Sequence, residues 1–232
     1  MEIKAIIFDF DMTLVDTSRA IAYAMNRFAE IMGLRKVSYD EVLATIGLPM
    51  EKSLSVLWQG AKPEWLDIYS RECRPLEYEK MRPFPGVPET LKALRYMGLK
   101  LAITSNRRSV KKAIDYLGLG EYFDLVLGLE EVNIPKPEPH ILLEAIESLG
   151  VDRDQVAYVG DTVIDMLTAK NAGIVGIGLT TGPSSEEELM EAGAFLVLSS
   201  VNDVLKIFLD NTILQANAMK LRGKHASQEG DL

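Results

Sequence analysis

Acidic side chains occur in two short clusters, and each cluster begins where an apolar run of the sequence stops. The first cluster, Asp9 and Asp11, follows residues 5–8, and the second, Asp161 and Asp165, follows another such run. Short apolar runs are typical of buried parallel strands, and ligands bind beyond the carboxyl ends of such strands. Carboxylates gathered at one sheet edge repel each other unless a cation lies among them. Mg²⁺ suits such a place, because it takes oxygen ligands and keeps waters for a substrate phosphate.

The spacing within each pair indicates what its carboxylates can do. Asp9 and Asp11 are two residues apart, so in an extended segment both face the same way. One of them can then attack phosphorus while the other carries the leaving-group proton. Asp161 and Asp165 are four residues apart at an expected helix start, where they share a face and where anions are favoured. Solvated loop aspartates and a simple helix N-cap are the alternative interpretations.

Three further polar residues follow other apolar runs. Ser105 and Asn106 come directly after the predicted strand 99–104, where a hydroxyl and an amide can hydrogen-bond phosphate oxygens or cap a helix. Lys136 lies in the proline-rich segment 134–139, and its compact ammonium suits phosphate or carboxylates. Considered alone, Lys136 is an ordinary loop lysine. Together these strand ends would supply a nucleophile, a hydroxyl, a lysine and metal carboxylates, a set typical of metal-dependent phosphoryl transfer.

Strands and helices alternate from residue 82 onward. Helices are predicted at 87–96, 109–117, 139–149, 163–172, 186–192 and from 201. Strands are predicted at 99–104, 125–128, 156–159, 173–179 and 195–198. Repeated strand–helix units predict an α/β fold, a doubly wound parallel (Rossmann-like) sheet with right-handed crossovers.

The interval 17–81 interrupts this alternation, because it contains no convincing strand. Helices are predicted there at 18–32, 39–46, 50–57 and 63–74, and the segment 82–86 is a stiff proline-containing linker back to the sheet. We therefore predict an α/β core at 1–15 and 85–210, and an inserted all-helical cap at 16–84 that lies over the sheet edge as a lid. A partly disordered tail is predicted at 211–232, in which Ile213, Leu214 and Met219 could instead extend the last helix towards a partner.

The bulk properties narrow the class of protein. The 232 residues are 47% hydrophobic and 25% charged, which is typical of a globular chain. The formal net charge of −9 argues against a broad nucleic-acid surface. No window of the sequence is as long as a membrane span, and the short apolar run at 5–8 is not expected to act as a signal peptide. The single Cys73 excludes an intramolecular disulfide and is expected to be a buried structural thiol in a reducing compartment. A cytoplasmic monomer or homodimer, without nucleic-acid or membrane partners, is the prediction.

Four motifs, in this order along the chain, resemble those of the haloacid dehalogenase superfamily of phosphatases. They are Asp9-Phe10-Asp11-Met12-Thr13, Ser105-Asn106, Lys136-Pro137-Glu138-Pro139 and Gly160-Asp161-Thr162-Val163-Ile164-Asp165. The resemblance extends to about residue 210. The insert is similar to the helical cap of the subgroup that includes phosphoglycolate phosphatases, β-phosphoglucomutases and phosphonoacetaldehyde hydrolases.

The resemblance implies a role for each motif residue. Asp9 would be the nucleophile that forms an aspartyl-phosphate, and Asp11 would be the general acid/base. Ser105, with Asn106 beside it, would hydrogen-bond the transferring phosphoryl group. Lys136 would hold Asp9 and the phosphoryl group together.

The resemblance also implies a Mg²⁺ site. Asp9, the backbone carbonyl of Asp11, and Asp161 would ligate the ion, with Asp165 close by or acting through water. Met12 departs from the family pattern, which most often has glycine at this position. Methionine does not easily take a left-handed conformation. Either the loop keeps a negative φ here, or Met12 reaches towards the lid.

The implied activity is that of a Mg²⁺-dependent phosphatase acting on a small phosphorylated metabolite. A phosphoglycolate-like ester is favoured, because residues 46–51 resemble the lid loop of phosphoglycolate phosphatase-like members, although a plain helix connector would also fit. A β-phosphoglucomutase-type mutase or a phosphonoacetaldehyde hydrolase is the alternative, the latter needing a lid lysine such as Lys52 or Lys62. A catalytically silent phosphate-binding regulatory protein is the non-enzyme alternative, and it predicts damage among the motif residues.

Overall fold

The computed structural model describes residues 2–209, and a parallel sheet dominates it. The strands are β1 (Ala5–Phe8), β2 (Val15–Asp16), β3 (Arg82–Pro83), β4 (Lys100–Thr104), β5 (Leu125–Leu127), β6 (Val156–Gly160), β7 (Val175–Leu179) and β8 (Leu196–Leu198). The main sheet has the order β5-β4-β1-β6-β7-β8, and all its neighbours pair in parallel. The strand order reverses at β1, which places the ligand-binding crevice beyond its carboxyl end. The predicted doubly wound α/β fold is confirmed.

Helices cover both faces of the main sheet. The helices are α1 (Ser18–Met32), α2 (Tyr39–Leu43), α3 (Met50–Leu57), α4 (Pro63–Ile68), α5 (Arg74–Lys80), α6 (Val87–Tyr96), α7 (Val110–Leu117), α8 (His140–Leu149), α9 (Val163–Ala172), α10 (Glu186–Glu191) and α11 (Val201–Leu209). Ile6 and Phe8 of β1 pack with α6, α7 and α11, whereas Ala5 and Ile7 pack with α8 and α9. Because alternate strand residues face opposite sides, β1 is buried on both faces and reads as a continuous apolar run.

The helices of the insert bury a separate apolar cluster. Its centre is Phe28 on α1, whose ring centroid lies 5.6–5.8 Å from the rings of Trp58, Trp65 and Tyr69. Such tilted and edge-on contacts are the preferred geometry of aromatic pairs. The insert therefore has its own packed interior, which supports its predicted role as a cap.

Two features of the insert differ from the sequence prediction. The segment 82–86 is not a plain linker, because β3 pairs antiparallel with β2 at the other end of the insert. The predicted helix 63–74 is wrong at its end, since α4 stops at Ile68, a π-helical turn follows at Tyr69–Cys73, and α5 continues the chain. Pro75 stands in the first turn of α5, where a backbone N–H is not required, so it starts a helix instead of ending one.

The other predicted elements agree with the structure to within two residues at their ends, except that the helix predicted at 39–46 stops at Leu43. Cys73 is buried, as predicted, and burial raises the pKa of its thiol to about 11. Within residues 2–209, no helix combines the length and apolarity needed to cross a membrane. The predicted tail at 211–232, with Ile213, Leu214 and Met219, lies outside the described residues.

Candidate active site

Asp9 and Lys136 form a buried ion pair at the carboxyl end of β1. The Lys136 Nζ donates to Asp9 Oδ1 at 2.7 Å, and both side chains are almost fully buried. Burial raises the pKa of Asp9, Lys136 lowers it and Asp165 raises it again, with a net rise to about 7. Burial lowers the pKa of Lys136, but Asp165 and Asp9 raise it well above its usual value, so the lysine is cationic. Lys136 is therefore not the exposed loop lysine of the alternative interpretation.

The same lysine binds the second acidic cluster. Its Nζ also donates to Asp165 Oδ1 at 2.6 Å and to the Tyr158 hydroxyl oxygen at 2.9 Å. The second Asp165 oxygen accepts from the backbone N–H of Thr162, which caps α9 in a reciprocal capping box. Thr162 is therefore the N-cap of this helix, so the alternative that Asp161 or Asp165 is a simple N-cap is wrong. Lys136 thus connects the ends of β1 and β6 through two carboxylates.

Asp161 completes a group of three buried carboxylates. Asp9, Asp161 and Asp165 each place one oxygen within 4.8 Å of the others. Burial, Asp165 and Asp9 all raise the pKa of Asp161, and Thr13 donates to its Oδ1 at 2.6 Å. The second oxygen of Asp161 is buried and lacks any hydrogen-bond partner among the described residues. A Cβ on Gly182 would stand 1.7 Å from that oxygen, so only glycine leaves this space open.

These three carboxylates fit a divalent cation. When all three are ionised they carry three negative charges against one ammonium, which a divalent cation would offset, and all their ligand atoms are the hard oxygens that Mg²⁺ prefers. The partnerless Asp161 oxygen supplies a free ligand atom beside them. The Asp11 side chain does not join this group, because its carboxylate is bound elsewhere.

Asp11 is held by Arg107, a residue that the sequence analysis did not identify. Arg107 Nη2 lies 2.7 Å from Asp11 Oδ1 and Nε lies 3.1 Å from Oδ2. Burial raises the pKa of Asp11, but Arg107 more than offsets this, so the net pKa is lowered. The remaining guanidinium nitrogen binds Glu77 on α5, which also accepts from the Tyr69 hydroxyl. This network of buried charges connects the sheet edge to the insert.

Ser105 and Asn106 lie where the sequence predicts, and neither caps a helix. The Ser105 hydroxyl accepts the Arg107 backbone N–H at 3.0 Å, which leaves its own proton free for a ligand. Asn106 accepts the Lys136 backbone N–H at 2.9 Å and donates to the Gly47 carbonyl at 2.9 Å. Asn106 therefore connects the segment that carries Lys136 with the loop of the insert that contains Gly47.

Met12 takes the left-handed conformation with φ of 62°, so the expectation of a negative φ is wrong. Its side chain is 6% exposed and packs in the apolar cluster of the insert. The second alternative, that Met12 reaches towards the lid, is therefore confirmed.

One cavity between the sheet edge and the insert reaches Asp9 and Asp11, whereas Lys136, Asp161 and Asp165 lie behind its lining. It is lined by Asp9, Asp11, Ile21, Met25, Thr45, Ile46, Gly47, Leu48, Met50, Ser53, Arg74, Ser105, Asn106, Arg107 and Arg108. The predicted lid loop at 46–51 supplies part of this lining. Lys52 and Lys62 do not line it, and both are exposed.

Several lining and supporting residues escaped the sequence analysis. Arg107 directly follows the recognised Ser105-Asn106 pair, which is the signal that could have found it. Tyr158 lies two residues before the end of β6 and shares a face with that end, a second available signal. Glu77 carries no such signal, because it lies beyond the predicted helix 63–74, and Arg74 is the last residue of that predicted helix, where no motif marks it.

Known proteins share both the sequence pattern and the fold. A phosphoglycolate phosphatase from Aquifex aeolicus is 35% identical over 175 residues, covering 73% of this chain and 81% of the relative. A pyrophosphatase, PpaX, from Halalkalibacterium halodurans is 31% identical over 209 residues, covering 89% and 97%. The crystal structure of a haloacid dehalogenase-like hydrolase from Bacteroides fragilis superposes with a TM-score of 0.82 at 28% identity, covering 88% and 100%.

The family model of haloacid dehalogenase-like hydrolases matches residues 6–179, which include all four motifs and the whole insert. Phosphatases are among the relatives, and the matched chain retains the buried aspartates and the lysine described above. This protein belongs to the haloacid dehalogenase-like hydrolase family.

Proposed function

We propose that this protein is a Mg²⁺-dependent phosphatase that hydrolyses a small phosphorylated metabolite through an aspartyl-phosphate on Asp9. The observation that carries the proposal is the Asp9–Lys136 pair, buried at a sheet edge beside two more aspartates, with Asp9 lining a cavity. One Asp9 oxygen is bound by Lys136, and the other is available to attack phosphorus.

The proposed reaction has two displacements at phosphorus. Asp9 forms a bond to phosphorus while the bond to the leaving oxygen breaks, and Asp11 gives that oxygen a proton. A water then attacks the aspartyl-phosphate, Asp11 takes its proton, and phosphate leaves with Asp9 restored. Asp11 is ionised while Arg107 holds it, so proton donation requires that it first take up a proton and turn from Arg107.

Asp9, Asp161 and the backbone carbonyl of Asp11 would hold the Mg²⁺, with Asp165 beside them. The bound ion supplies positive charge that keeps Asp9 ionised and offsets charge on the phosphoryl oxygens. Lys136 adds a second cation on the same nucleophile, and the Ser105 proton is placed to hydrogen-bond a phosphoryl oxygen.

We infer that the insert at 16–84 is a cap that closes this site. Asn106 donates to Gly47, and Arg108 pairs with Glu51 at 3.1 Å, so two residues of the segment that follows Ser105 bind the predicted lid loop. A closed cap excludes water while the leaving group departs, which favours transfer to Asp9 over side reactions. The single cysteine favours action in a reducing compartment, the cytoplasm.

A phosphoglycolate-like ester is the favoured substrate. The cavity roof is largely apolar, with Ile21, Met25, Ile46, Leu48 and Met50. A polyhydroxylated sugar needs several hydrogen-bond partners at such a roof, whereas a short leaving group needs few. The phosphoglycolate phosphatase among the relatives supports this preference, and the PpaX relative makes pyrophosphate the second candidate.

The other activities have less support. A phosphonoacetaldehyde hydrolase needs a lysine from the lid at the active site, and neither lid candidate, Lys52 or Lys62, lines the cavity. The apolar roof disfavours a phosphosugar mutase. A silent regulatory protein is disfavoured because Asp9, Asp11 and Lys136 are all present and buried together.

The test is phosphate release from phosphoglycolate, pyrophosphate, a hexose phosphate and an aryl phosphate, with Mg²⁺ or EDTA. Wild type should release phosphate only with Mg²⁺, and Asp9→Asn should release none, whereas Asp115→Asn, an exposed aspartate on α7, should match wild type. Borohydride added during turnover should convert Asp9 to homoserine, because it reduces an acyl phosphate to the alcohol. Turnover in Asp9→Asn, or no release from any ester by wild type, contradicts the proposal.

A further inference from the structure

Arg74 stands out among the cations that line the active-site cavity. Arg107 is neutralised by Asp11 and Glu77, and Arg108 pairs with Glu51. Arg74 lines the same cavity, is 4% exposed, and forms no ion pair with any residue in the described range 2–209. A buried guanidinium without a counter-ion is unfavourable, because it has lost its water without gaining an anion.

The hydrogen bonds of Arg74 are incomplete in a specific way. Its Nη1 donates to the Arg108 carbonyl oxygen at 3.1 Å, which fixes the guanidinium against the sheet edge. Its Nε and Nη2 are buried and lack an acceptor among the described residues. These two nitrogens form one edge of the planar guanidinium, with parallel N–H bonds. This is the edge that binds a carboxylate or phosphate with two hydrogen bonds at once.

The surroundings keep that edge in place. The Arg74 guanidinium lies 5.7 Å from the centroid of the Tyr69 ring, and Tyr69 is itself fixed by its hydroxyl bond to Glu77. Arg74 belongs to the insert, whereas Asp9 belongs to the sheet, and both line one cavity. A substrate phosphoryl group at Asp9 therefore has its leaving group on the side of the insert, towards Arg74.

We propose that Arg74 is a specificity-determining residue that binds a second anionic group, a carboxylate or a phosphate, on the leaving group of the substrate. The proposal rests on the proposed phosphatase function and narrows its substrates to phosphate esters or anhydrides with a negatively charged tail. Such a substrate completes the bonding of Nε and Nη2, so its binding energy is directed at the leaving group and at closure of the insert.

The kinetic test compares substrates with and without a charged tail. Phosphoglycolate and pyrophosphate carry the second anion, and ethyl phosphate is a neutral-tailed control. In Arg74→Met we expect kcat/KM for the anionic substrates to fall about 100-fold or more, and kcat/KM for ethyl phosphate to stay within about threefold. Arg74→Lys should retain part of the preference. Arg71→Met is the matched control, because Arg71 is an exposed arginine of the adjoining turn, and it should change neither value.

A binding test separates the two sources of the anion and does not depend on turnover. Phosphonoacetate carries a carboxylate tail, methylenediphosphonate a phosphonate tail, and methylphosphonate neither. Thermal unfolding with Mg²⁺ should show larger stabilisation of wild type by one or both tailed compounds than by methylphosphonate, and the larger shift identifies the tail. Arg74→Met should lose this difference, with circular dichroism confirming that the variant is folded.

The failures are distinguishable. The assignment of Arg74 is wrong, while the phosphatase proposal stands, if all three phosphonates stabilise wild type equally. The same holds if wild type hydrolyses ethyl phosphate with the same kcat/KM as phosphoglycolate. Equal losses for charged and neutral substrates in Arg74→Met would also overturn it, since the residue would then be structural. No turnover of any ester by wild type would overturn the phosphatase proposal itself.

Discussion

Two buried polar clusters border the same cavity, one through Asp9 and the other through Asp11 and Arg107, and they are built differently. In the sheet-side cluster, Lys136 binds Asp9 and Asp165. Asp9 follows β1, and Asp165 lies in the first turn of α9, which follows the adjacent strand β6. In the insert-side cluster, Arg107 binds Asp11 from the sheet edge and Glu77 from the insert. The first cluster depends on the sheet alone, whereas the second is complete only when the insert covers the sheet.

The difference separates two tasks that an enclosed active site must perform. The sheet-side cluster gathers carboxylates around Asp9, the proposed nucleophile, and Lys136 holds it in one place by binding Asp9 and Asp165 together. The insert-side cluster responds to the position of the insert, because moving the insert away separates Glu77 from Arg107. The proposed chemistry therefore divides between the two clusters. The proposed nucleophile Asp9 belongs to the first, whereas Asp11, the proposed general acid/base, belongs to the second, whose ion pairs include a residue of the insert.

The strongest test of the sheet-side cluster is Lys136→Met, which leaves Asp9 and Asp165 buried without their shared counter-charge. We expect phosphate release to fall at least about 1000-fold. The free energy of unfolding in EDTA should fall by about 3–5 kcal/mol, because a buried ion pair loses one partner. Urea unfolding monitored by circular dichroism measures this, and Mg²⁺ should reduce the loss.

The matched control for this prediction is Lys206→Met, which removes an exposed lysine whose partner is Asp203. Its free energy of unfolding should change by less than about 1 kcal/mol. Equal stability of the two variants would mean that the Lys136 cluster is not a buried charge centre.

The insert-side cluster is tested by a double-mutant cycle of Arg107→Met and Glu77→Gln. Arg107→Met leaves two carboxylates unpaired and should lower the free energy of unfolding by about 3 kcal/mol. Because both changes disrupt one ion pair, their effects should be non-additive by about 1 kcal/mol or more. Additive effects would show that the two residues do not interact when the insert is closed.

The pH dependence of Arg107→Met sharpens the same test. Arg107 lowers the pKa of Asp11, so the stability from this pair is present above the pKa of an unfolded aspartate. It is lost as the pH falls through the lowered pKa of the folded state. The stability difference between wild type and Arg107→Met should therefore shrink in acid, as measured by urea unfolding at several pH values, and a constant difference would contradict this.

A smaller effect is expected at Met12, which directly follows Asp11 and packs in the apolar cluster of the insert. Met12→Ala keeps the strained left-handed backbone and loses the apolar contact with the insert, and it should cost about 2 kcal/mol. Met12→Gly also loses the contact but removes the strain, so it should cost about 1 kcal/mol. Thermal or urea unfolding ranks the two variants, and an alanine variant as stable as the glycine variant would contradict the assigned strain.

The sheet-side cluster was predictable because parallel strands end at one edge, so residues that follow apolar runs must meet. Asp9 and the Asp161–Asp165 pair are far apart in the chain, yet this single rule brings them together. Lys136 does not directly follow a strand, and its role was predicted from the family resemblance. The rule requires only that the strands be recognised. Tyr158 escaped because its large apolar ring resembles an ordinary core residue until its hydroxyl contacts are known.

The insert-side cluster was not predictable from the same reasoning. Arg107 and Glu77 are 30 residues apart and lie in different structural layers, and no periodicity links them. Pro75 obscured α5, because a proline after a helical run marks either a helix stop or the first turn of a new helix. For Met12 the sequence left two alternatives, a negative φ or a side chain that reaches towards the lid, and only the packing of Met12 in the apolar cluster of the insert shows which one holds.

The short pair of β2 and β3 has a consequence for how such proteins change over time. It brings the two ends of a long insert side by side, so that the insert joins the sheet through a narrow neck. An insert of different length or fold can be exchanged at that neck without altering the register of the six parallel strands. The proposed site of phosphate-ester cleavage can thus remain constant while the insert, the proposed substrate-selecting surface, is replaced as one unit.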